Sequence, residues 1–489
     1  MNYKMMGSFI GKILLVEAIF MVPALGISLW CREWNAVSGF LVALAAICIC
    51  GGLMMWYGKG SKKRFYAKEG LVCVGLCWIV MSLLGCIPFC VSGAIPHYID
   101  ALFEMVSGFT TTGASILANV EIVPKGLLYW RSFSHWLGGM GVLVFLLAIS
   151  SMGSGDSGFT VHLLRAESPG PDVGKLVPKM RQTAGILYWL YIILTIVNFI
   201  FLLFGKMPVF DAVCTALGTA GTGGFGIKND SIASYSPYLQ NVTTIFMLLF
   251  GINFSCYYLL ILRQFKNIWK DEELRFYIGV VLGSIALIAW NVRGMYDSLG
   301  ETIRHSAFQV ATIVTTTGFA TTDFDLWPSF SKAILLCLMI VGACAGSTGG
   351  GFKCGRMLLL LKNLRRSLRK ELHPQKIEVV RSNGRPVDEK VLHSLNAYLA
   401  AYAFIVFISF ILISIDGFSV TTNLSAVFAC FNNIGPGLEA VGPTCNFGGY
   451  SVFSKLILIF DMLAGRLELF PVLLLFTPST WQRQIRKNL

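Results

Sequence analysis

The sequence predicts an all-α polytopic membrane protein in which four repeated units follow two additional transmembrane helices. Of its 489 residues, 55% are hydrophobic and only 13% are charged, whereas about a quarter of a soluble domain is charged. The apolar residues come in runs of about 20, enough to cross the hydrocarbon core of a bilayer. In addition, a short Gly/Thr-rich segment recurs four times. An outer-membrane barrel would instead need short segments of alternating polarity.

The order of patterns along the chain defines the repeats. Two apolar spans, at about residues 9–30 and 38–56, come first. An apolar span, a short segment, a Gly/Thr loop and a second apolar span then follow in the same order four times. Sequence identity between the copies is weak. We therefore divide the chain into two N-terminal transmembrane helices (1–66) and four pore repeats, at residues 67–155, 180–270, 272–370 and 390–489.

The basic residues set the expected orientation. The formal net charge is +13, and its clusters fall in alternate loops, at residues 59–68, 165–181, 263–270, 353–390 and 483–487. The intervening loops, such as 88–101 and 231–238, are nearly free of Lys and Arg. The positive-inside rule therefore puts the basic loops and both termini in the cytoplasm. Because the basic clusters are confined to alternate loops, membrane topology explains the positive charge better than nucleic-acid binding does.

The four Gly/Thr segments are the most informative motif. They are Thr110-Thr111-Thr112-Gly113, Ala220-Gly221-Thr222-Gly223, Thr315-Thr316-Thr317-Gly318 and Asn432-Asn433-Ile434-Gly435. Each follows a segment that is too short to span a bilayer and is typical of a re-entrant helix. Non-helical backbone at membrane depth survives only where protein or water surrounds it. Four such loops around one axis would shield one another.

This arrangement suits a monovalent cation. A dehydrated ion needs a ring of oxygen dipoles, which backbone carbonyls supply if the chain can turn them toward an axis. Glycine permits the required dihedral angles, and the C-terminal ends of the short helices would favour a cation. The loop centres lack carboxylates, which favours K⁺ over a divalent ion. For any single copy, an ordinary turn or a helix-packing site is the competing interpretation.

Two further features lie in the later repeats. The second span of repeat 3 is interrupted by residues 342–351, where several glycines would each cost a helix about 1 kcal/mol. A broken helix or simple close packing of small residues would explain them. Arg466 lies within an apolar span, where a charge costs about 2.5–3.5 kcal/mol or more and needs a polar partner. It either forms a closed gate with the broken segment or pairs locally with Asp461 or Glu468.

The motifs resemble those of the TrkH/TrkG/KtrB/HKT superfamily of potassium transporters. Gly108-Phe109-Thr110-Thr111-Thr112-Gly113-Ala114-Ser115 is similar to its first filter. Thr315-Thr316-Thr317-Gly318-Phe319 and Asn432-Asn433-Ile434-Gly435-Pro436-Gly437 are similar to the third and fourth, and Trp136-Leu137-Gly138-Gly139-Met140-Gly141 to the start of the first post-filter span. The match covers essentially the whole chain. The two leading spans point to the TrkH branch.

The resemblance implies roles for particular residues. It implies K⁺ coordination at a selectivity filter formed by Thr111, Thr112, Gly113, Gly221, Thr222, Gly223, Thr316, Thr317, Gly318, Asn433, Ile434 and Gly435. It implies a gate formed by Gly346, Ser347, Thr348, Gly349, Gly350 and Arg466. It further implies transport of K⁺ and also Rb⁺ across the bacterial inner membrane, a homodimer, and a cytosolic nucleotide-binding regulatory subunit of the TrkA type.

Other interpretations stay open at this point. An alternating-access secondary cation symporter also uses repeats and broken helices, and coupling to H⁺ or Na⁺ is undecided. The basic segment 353–390 either sets topology or docks the regulator. His135 is expected to be a packing or interfacial residue. An enzyme is not expected, because no Cys/His spacing suits zinc and residues 346–351 lack the Gly-Lys-Ser/Thr ending of a P-loop. We expect no covalent cofactor.

Overall fold

A computed structural model describes residues 1–60, 67–139, 141, 180–375, 378–467 and 469–481. The basic clusters at 165–181 and 483–487 lie almost wholly outside these residues, as does Glu468. Within the described ranges the regular structure is helical except for one antiparallel hairpin, in which β1 (Arg381–Ser382) pairs with β2 (Arg385–Pro386). The predicted all-α membrane class is thereby confirmed.

The two N-terminal helices pack against each other along their length. They are α1 (Tyr3–Trp30) and α2 (Trp34–Tyr57). Asn2 begins α1, since its side chain accepts a hydrogen bond from the backbone N–H of Met5 at 3.2 Å. Their outward faces expose large apolar side chains such as Trp30 and Ile49, as expected of helices that are apolar all round and face lipid.

The remaining helices follow the predicted order of patterns. Repeat 1 contains α3 (Ala67–Gly85), α4 (Ile87–Val91), α5 (Tyr98–Phe109) and α6 (Lys125–Gly139). Repeat 2 contains α7 (Met180–Phe204), α8 (Val209–Gly221), α9 (Pro237–Phe250), α10 (Phe254–Ile261) and α11 (Phe265–Lys270). Repeat 3 contains α12 (Glu272–Val292), α13 (Leu299–Val314), α14 (Ser329–Val341) and α15 (Cys354–Leu372). Repeat 4 contains α16 (Glu389–Ile413), α17 (Val420–Phe431), α18 (Val452–Arg466), α19 (Leu469–Phe476) and α20 (Pro478–Trp481).

Six of the described helices are long and apolar enough to cross a membrane, and one bent helix pair forms a further candidate span. Four shorter helices, α5, α8, α13 and α17, lie where the sequence predicts re-entrant segments, and we call them pore helices 1 to 4. Their C-terminal residues are buried. Each one therefore points its C-terminal end into the protein.

One predicted continuous span is broken. The apolar run 243–262 forms two helices, α9 and α10, which meet at an angle of 91°. Gly251 ends the first helix, and the side chain of Asn253 caps the second by accepting a hydrogen bond from the N–H of Ser255 at 2.9 Å. The expected interruption in repeat 3 is also present, because α14 ends at Val341 and α15 begins at Cys354.

Candidate functional site

The loops that follow the four pore helices share one backbone conformation. We number them loop 1 (110–113), loop 2 (221–224), loop 3 (315–318) and loop 4 (432–435). In each loop one residue that is not glycine is left-handed, with φ of 56° at Thr111, 52° at Thr222, 57° at Thr316 and 55° at Asn433. Such residues are uncommon outside glycine, so the same conformation four times defines a common register.

A glycine with positive φ follows two residues later in every loop. The angles are 80° at Gly113, 71° at Gly224, 92° at Gly318 and 101° at Gly435. The sequence motif had aligned Gly223 with the other three glycines, and the structure corrects this register by one residue. Loop 2 contains several glycines, so residue identity alone does not fix the alignment.

Backbone hydrogen bonds support the corrected register. Thr112 N–H donates to the carbonyl of Ser107 at 2.9 Å, and Gly223 N–H donates to that of Gly218 at 3.0 Å. Gly223 is therefore the counterpart of Thr112, and Gly224 is the counterpart of Gly113. Gly221, which was expected to contribute to the filter, is the last residue of pore helix 2 and corresponds to Thr110.

The four loops close into a ring in chain order. A Cβ atom on any of the four loop glycines with positive φ would come too close to a carbonyl oxygen of the next loop in the ring. The pairs are Gly113 with Gly223, Gly224 with Thr317, Gly318 with Ile434, and Gly435 with Thr112. Glycine is therefore required twice over, by its positive φ and by the close approach of a neighbouring backbone. The four facing carbonyls occupy equivalent positions.

Hydroxyl groups pin loops 1 and 3 to their pore helices. Thr110 Oγ1 donates to the carbonyl of Val106 at 2.7 Å and lies 2.8 Å from Thr112 Oγ1. Thr315 makes the same pair of contacts, with Ala311 at 2.6 Å and Thr317 at 2.8 Å. These hydroxyls hold the shape of each loop.

Loop 4 differs in sequence and links the ring to its surroundings. Asn433 Nδ2 donates to Thr112 Oγ1 at 2.9 Å and to the carbonyl of Met462 at 3.0 Å. A single amide thus joins loop 4 to loop 1 and to α18. Asparagine also tolerates the left-handed conformation better than most residues, which accounts for its presence at this position.

The glycine-rich loop (342–353) packs against loops 3 and 4. Its ends have positive φ, 71° at Gly342 and 78° at Lys353. The N–H of Gly350 donates to Thr316 Oγ1 at 2.6 Å. A Cβ on Gly350 would collide with the carbonyl of Asn432. The loop therefore touches the ring directly.

The glycine-rich loop is also bonded to the break in repeat 2. Cys344 N–H donates to the carbonyl of Gly251 at 3.1 Å, and Phe254 N–H donates to that of Gly346 at 3.0 Å. Thr348 Oγ1 donates to the carbonyl of Phe250 at 3.2 Å. The two broken segments satisfy each other's backbone groups, which is the condition for irregular chain at membrane depth.

Arg466 joins the glycine-rich loop to repeat 1. Its guanidinium donates to the carbonyl of Thr348 at 2.8 Å, to that of Gly139 at 2.8 Å, and to that of Gly138. Asp461, one of the two local partners considered from sequence, instead accepts a hydrogen bond from Ser409 at 2.7 Å. Backbone carbonyls from two repeats thus stabilise the Arg466 charge.

Glu273 is a residue that sequence reasoning missed. Its Oε1 accepts hydrogen bonds from the N–H of Ala345 at 2.6 Å, within the glycine-rich loop, and from the N–H of Gly355 at 2.8 Å, in the first turn of α15. Lys353 Nζ donates to the carbonyl of Gly349 within the same loop. Acidic residues in the first turn of α12 were the available signal, but they suit a helix N-terminus equally well.

The hairpin formed by β1 and β2 docks beside Glu273. Asn383 Oδ1 accepts a hydrogen bond from the N–H of Glu272 at 2.9 Å, and Glu272 Oε2 accepts from the N–H of Asn383 at 2.9 Å. Lys362 adds an ion pair with Glu272 at 2.6 Å. The basic segment 353–390 therefore contacts the helix end that holds the glycine-rich loop.

His135 is buried against loop 2. Its ring stacks on Phe225 with centroids 4.1 Å apart. A Cβ on Gly223 would collide with the imidazole. The close packing explains why loop 2 needs glycine at a position where the other loops carry Thr or Ile.

Known proteins are similar to this chain over most of its length. A family model named TrkH, described as a cation transport protein, matches residues 38–484. The chain is 37% identical over 451 residues to the Trk system potassium uptake protein TrkH of Salmonella typhimurium, covering 91% of each protein. It is 32% identical to the Trk system potassium uptake protein TrkG of Escherichia coli K12, covering 96% of this chain and 97% of the relative.

A solved structure is similar over the full length. The crystal structure of the potassium transporter TrkH from Vibrio parahaemolyticus matches with a TM-score of 0.85 at 29% identity, covering 99% of this chain and 100% of the other. The family model and the relatives each match more than 90% of this chain. The chain therefore belongs to the TrkH family of Trk system potassium uptake transporters.

Proposed function

We propose that this chain takes up K⁺ across the bacterial inner membrane through a channel-like pore, in which loops 1 to 4 are the selectivity filter. The observation that carries the proposal is the closed ring of equivalent loops, each with a left-handed residue and a glycine against the next loop's carbonyl. Such a ring offers backbone oxygens in place of an ion's hydration shell. We assign coordination to the carbonyls of residues 111–112, 222–223, 316–317 and 433–434.

Selection of K⁺ rests on the chemistry of these loops. Their residues are threonines, glycines, one isoleucine and two asparagines, and none is a carboxylate. A divalent ion would favour carboxylate ligands. The four pore helices direct the negative ends of their dipoles toward the ring, which favours a cation over an anion.

The glycine-rich loop and Arg466 act as the gate. Gly346, Ser347, Thr348, Gly349 and Gly350 lie in the segment that contacts loops 3 and 4, and Arg466 binds the carbonyl of Thr348. A fixed positive charge beside the path would oppose a passing cation. Release of these hydrogen bonds would move both the backbone and the charge.

A cytosolic nucleotide-binding subunit of the TrkA type regulates the gate in this proposal, and the chain works as a homodimer. The basic segment 353–390 contains the docked hairpin, and the hairpin contacts the helix end that carries Glu273. A partner bound to this segment would therefore act close to the glycine-rich loop. The basic loops and both termini face the cytoplasm under the positive-inside rule.

One observation favours a second candidate, an alternating-access cation symporter. Repeats 2 and 3 both have a broken second span, at 251–253 and 342–353. Interrupted helices at corresponding positions are typical of transporters that rock around a central site. Alternating access, however, does not require four equivalent loops in a ring.

Ion flux through purified protein in liposomes tests the proposal. We expect uptake of K⁺ and Rb⁺ well above that of Na⁺ and Li⁺, driven by an imposed membrane potential. Equal entry of Na⁺ and K⁺ would contradict the filter assignment. Uptake that persists only with a proton or Na⁺ gradient, and never follows the potential alone, would favour the symporter.

A further inference from the structure

A buried ion pair lies behind loops 1 and 2. Arg131 Nε is 2.5 Å from Glu104 Oε1, and the side chains of Arg131 and Glu104 are only 3% and 0% exposed. Glu104 is in pore helix 1 and Arg131 is in α6. Taking two charges out of water is expensive, and the cost is offset only where geometry and additional hydrogen bonds are good. The remaining bonds of both groups are therefore informative.

Glu104 holds the chain that leaves loop 1. Its Oε1 accepts a hydrogen bond from Ser115 Oγ at 3.0 Å, and its Oε2 accepts one from the N–H of Ile116 at 2.9 Å. Ser115 and Ile116 are two and three residues after Gly113. The carboxylate thus fixes where the backbone goes immediately after the first ring glycine.

Arg131 holds the chain that leaves loop 2. Its Nη1 donates to the carbonyl of Gly226 at 3.0 Å. Its guanidinium also lies over the ring of Phe225, 3.5 Å from the centroid. Phe225 and Gly226 follow Gly224 directly. The planar guanidinium donates to a carboxylate and a carbonyl while stacking on an aromatic ring, a combination that lysine cannot reproduce.

The carboxylate occurs in one repeat only. At the same distance before the left-handed residue, repeats 2, 3 and 4 carry Thr215, Gln309 and Ala426. Gln309 also contacts the chain after its loop, but as a donor, since its Nε2 donates to the carbonyl of Thr322 at 3.3 Å. The junction between loops 1 and 2 is thus held by charge and differs from the others.

We propose that Arg131 and Glu104 are positioning residues that set the spacing of loops 1 and 2 and thereby determine K⁺ selectivity. This inference rests on the proposed function. The pair fixes the exits of two adjacent loops at once. Its loss would let the carbonyl of Gly223 move relative to Gly113, where the ring has no spare room. A wider or more mobile ring would coordinate Na⁺ nearly as well as K⁺.

The test measures the K⁺/Na⁺ permeability ratio of purified protein in liposomes. We expect Glu104→Gln and Arg131→Lys each to lower the ratio by about tenfold or more, equivalent to about 1.4 kcal/mol. Asp100→Asn is the matched control. Asp100 is in the same pore helix and forms an ion pair with Lys455 at 2.6 Å, but it does not contact the exit of loop 1. Its ratio should equal that of the unmodified protein.

The outcomes separate this inference from the proposed function. An unmodified protein without K⁺ preference would refute the filter itself. If the unmodified protein is selective and the variants keep its K⁺/Na⁺ permeability ratio, the positioning role is refuted. This holds even if the variants express less well or conduct more slowly. If Glu104→Gln yields no folded protein, Arg131→Lys decides the matter, because it keeps both buried charges and removes only the planar fork.

Discussion

Replacement of Gly224 by alanine tests the corrected register of loop 2. Gly224 has a φ of 71°, a left-handed conformation that costs another residue about 1–2 kcal/mol. The new methyl group would also collide with the carbonyl oxygen of Thr317, and forced overpacking costs about 1–3 kcal/mol. The sum, about 2–5 kcal/mol, corresponds to on the order of 30- to 4,000-fold in the population of the native ring.

Gly223 provides the contrast because its obstacle is a side chain. A methyl group there would collide with the imidazole of His135, and Gly223 is not among the residues with positive φ. We therefore expect Gly223→Ala to lose K⁺ selectivity and Gly223→Ala with His135→Ala to regain part of it. The obstacle to Gly224→Ala is backbone, so His135→Ala should not rescue it.

The assay is the K⁺/Na⁺ permeability ratio in liposomes, with the thermal unfolding midpoint recorded in parallel. Gly283→Ala in α12 serves as the control, since a Cβ there has no neighbour within 4 Å. Two results together would refute the corrected register and favour the one inferred from sequence. They are normal K⁺ selectivity in Gly224→Ala, and no recovery of selectivity when His135→Ala is added to Gly223→Ala.

Three further predictions concern the gate. Arg466→Ala removes hydrogen bonds from a charged donor, each worth about 1.5–3 kcal/mol, and should raise K⁺ flux at least tenfold; unchanged flux would refute its role. Glu273→Ala should also increase K⁺ leak, because the N–H groups of Ala345 and Gly355 lose their acceptor, whereas Glu273→Gln keeps an acceptor oxygen and should leak less. Asn383→Ala should leave basal flux unchanged and weaken stimulation by the proposed TrkA-type subunit; equal stimulation would exclude the hairpin from regulation.

Local pattern was sufficient to predict the pore helices and three of the four ring glycines. The apolar segments of the pore helices are too short to span a bilayer. Gly113 and Gly318 each follow three threonines, and Gly435 follows Asn-Asn-Ile. Gly224 was not predictable in this way, because loop 2 offers neighbouring glycines and only the dihedral angles distinguish them. The glycine-rich break in repeat 3 was also predictable from local pattern, because several glycines fall within residues 342–351.

The remaining features depend on contacts between distant residues. The break at 251–253 lies in a run that stays apolar, and Asn253 becomes a cap only after the chain has bent. Glu273 contacts residues 72 and 82 positions away. From the sequence alone, Glu104 is a charge in a short helix and Arg131 is a charge in an apolar span. Their pairing needs the packing of α5 on α6, which periodicity does not specify.

Closure of the ring also depends on the last repeat of the chain to be synthesised. Asn433 and Thr112, which join loop 4 to loop 1, are 321 residues apart. A nascent chain that has inserted repeats 1 to 3 carries loops whose flanks still lack a neighbour, and backbone groups left unsatisfied in lipid cost several kcal/mol each. Because one chain supplies all four loops, closure of the ring requires no assembly of separate subunits.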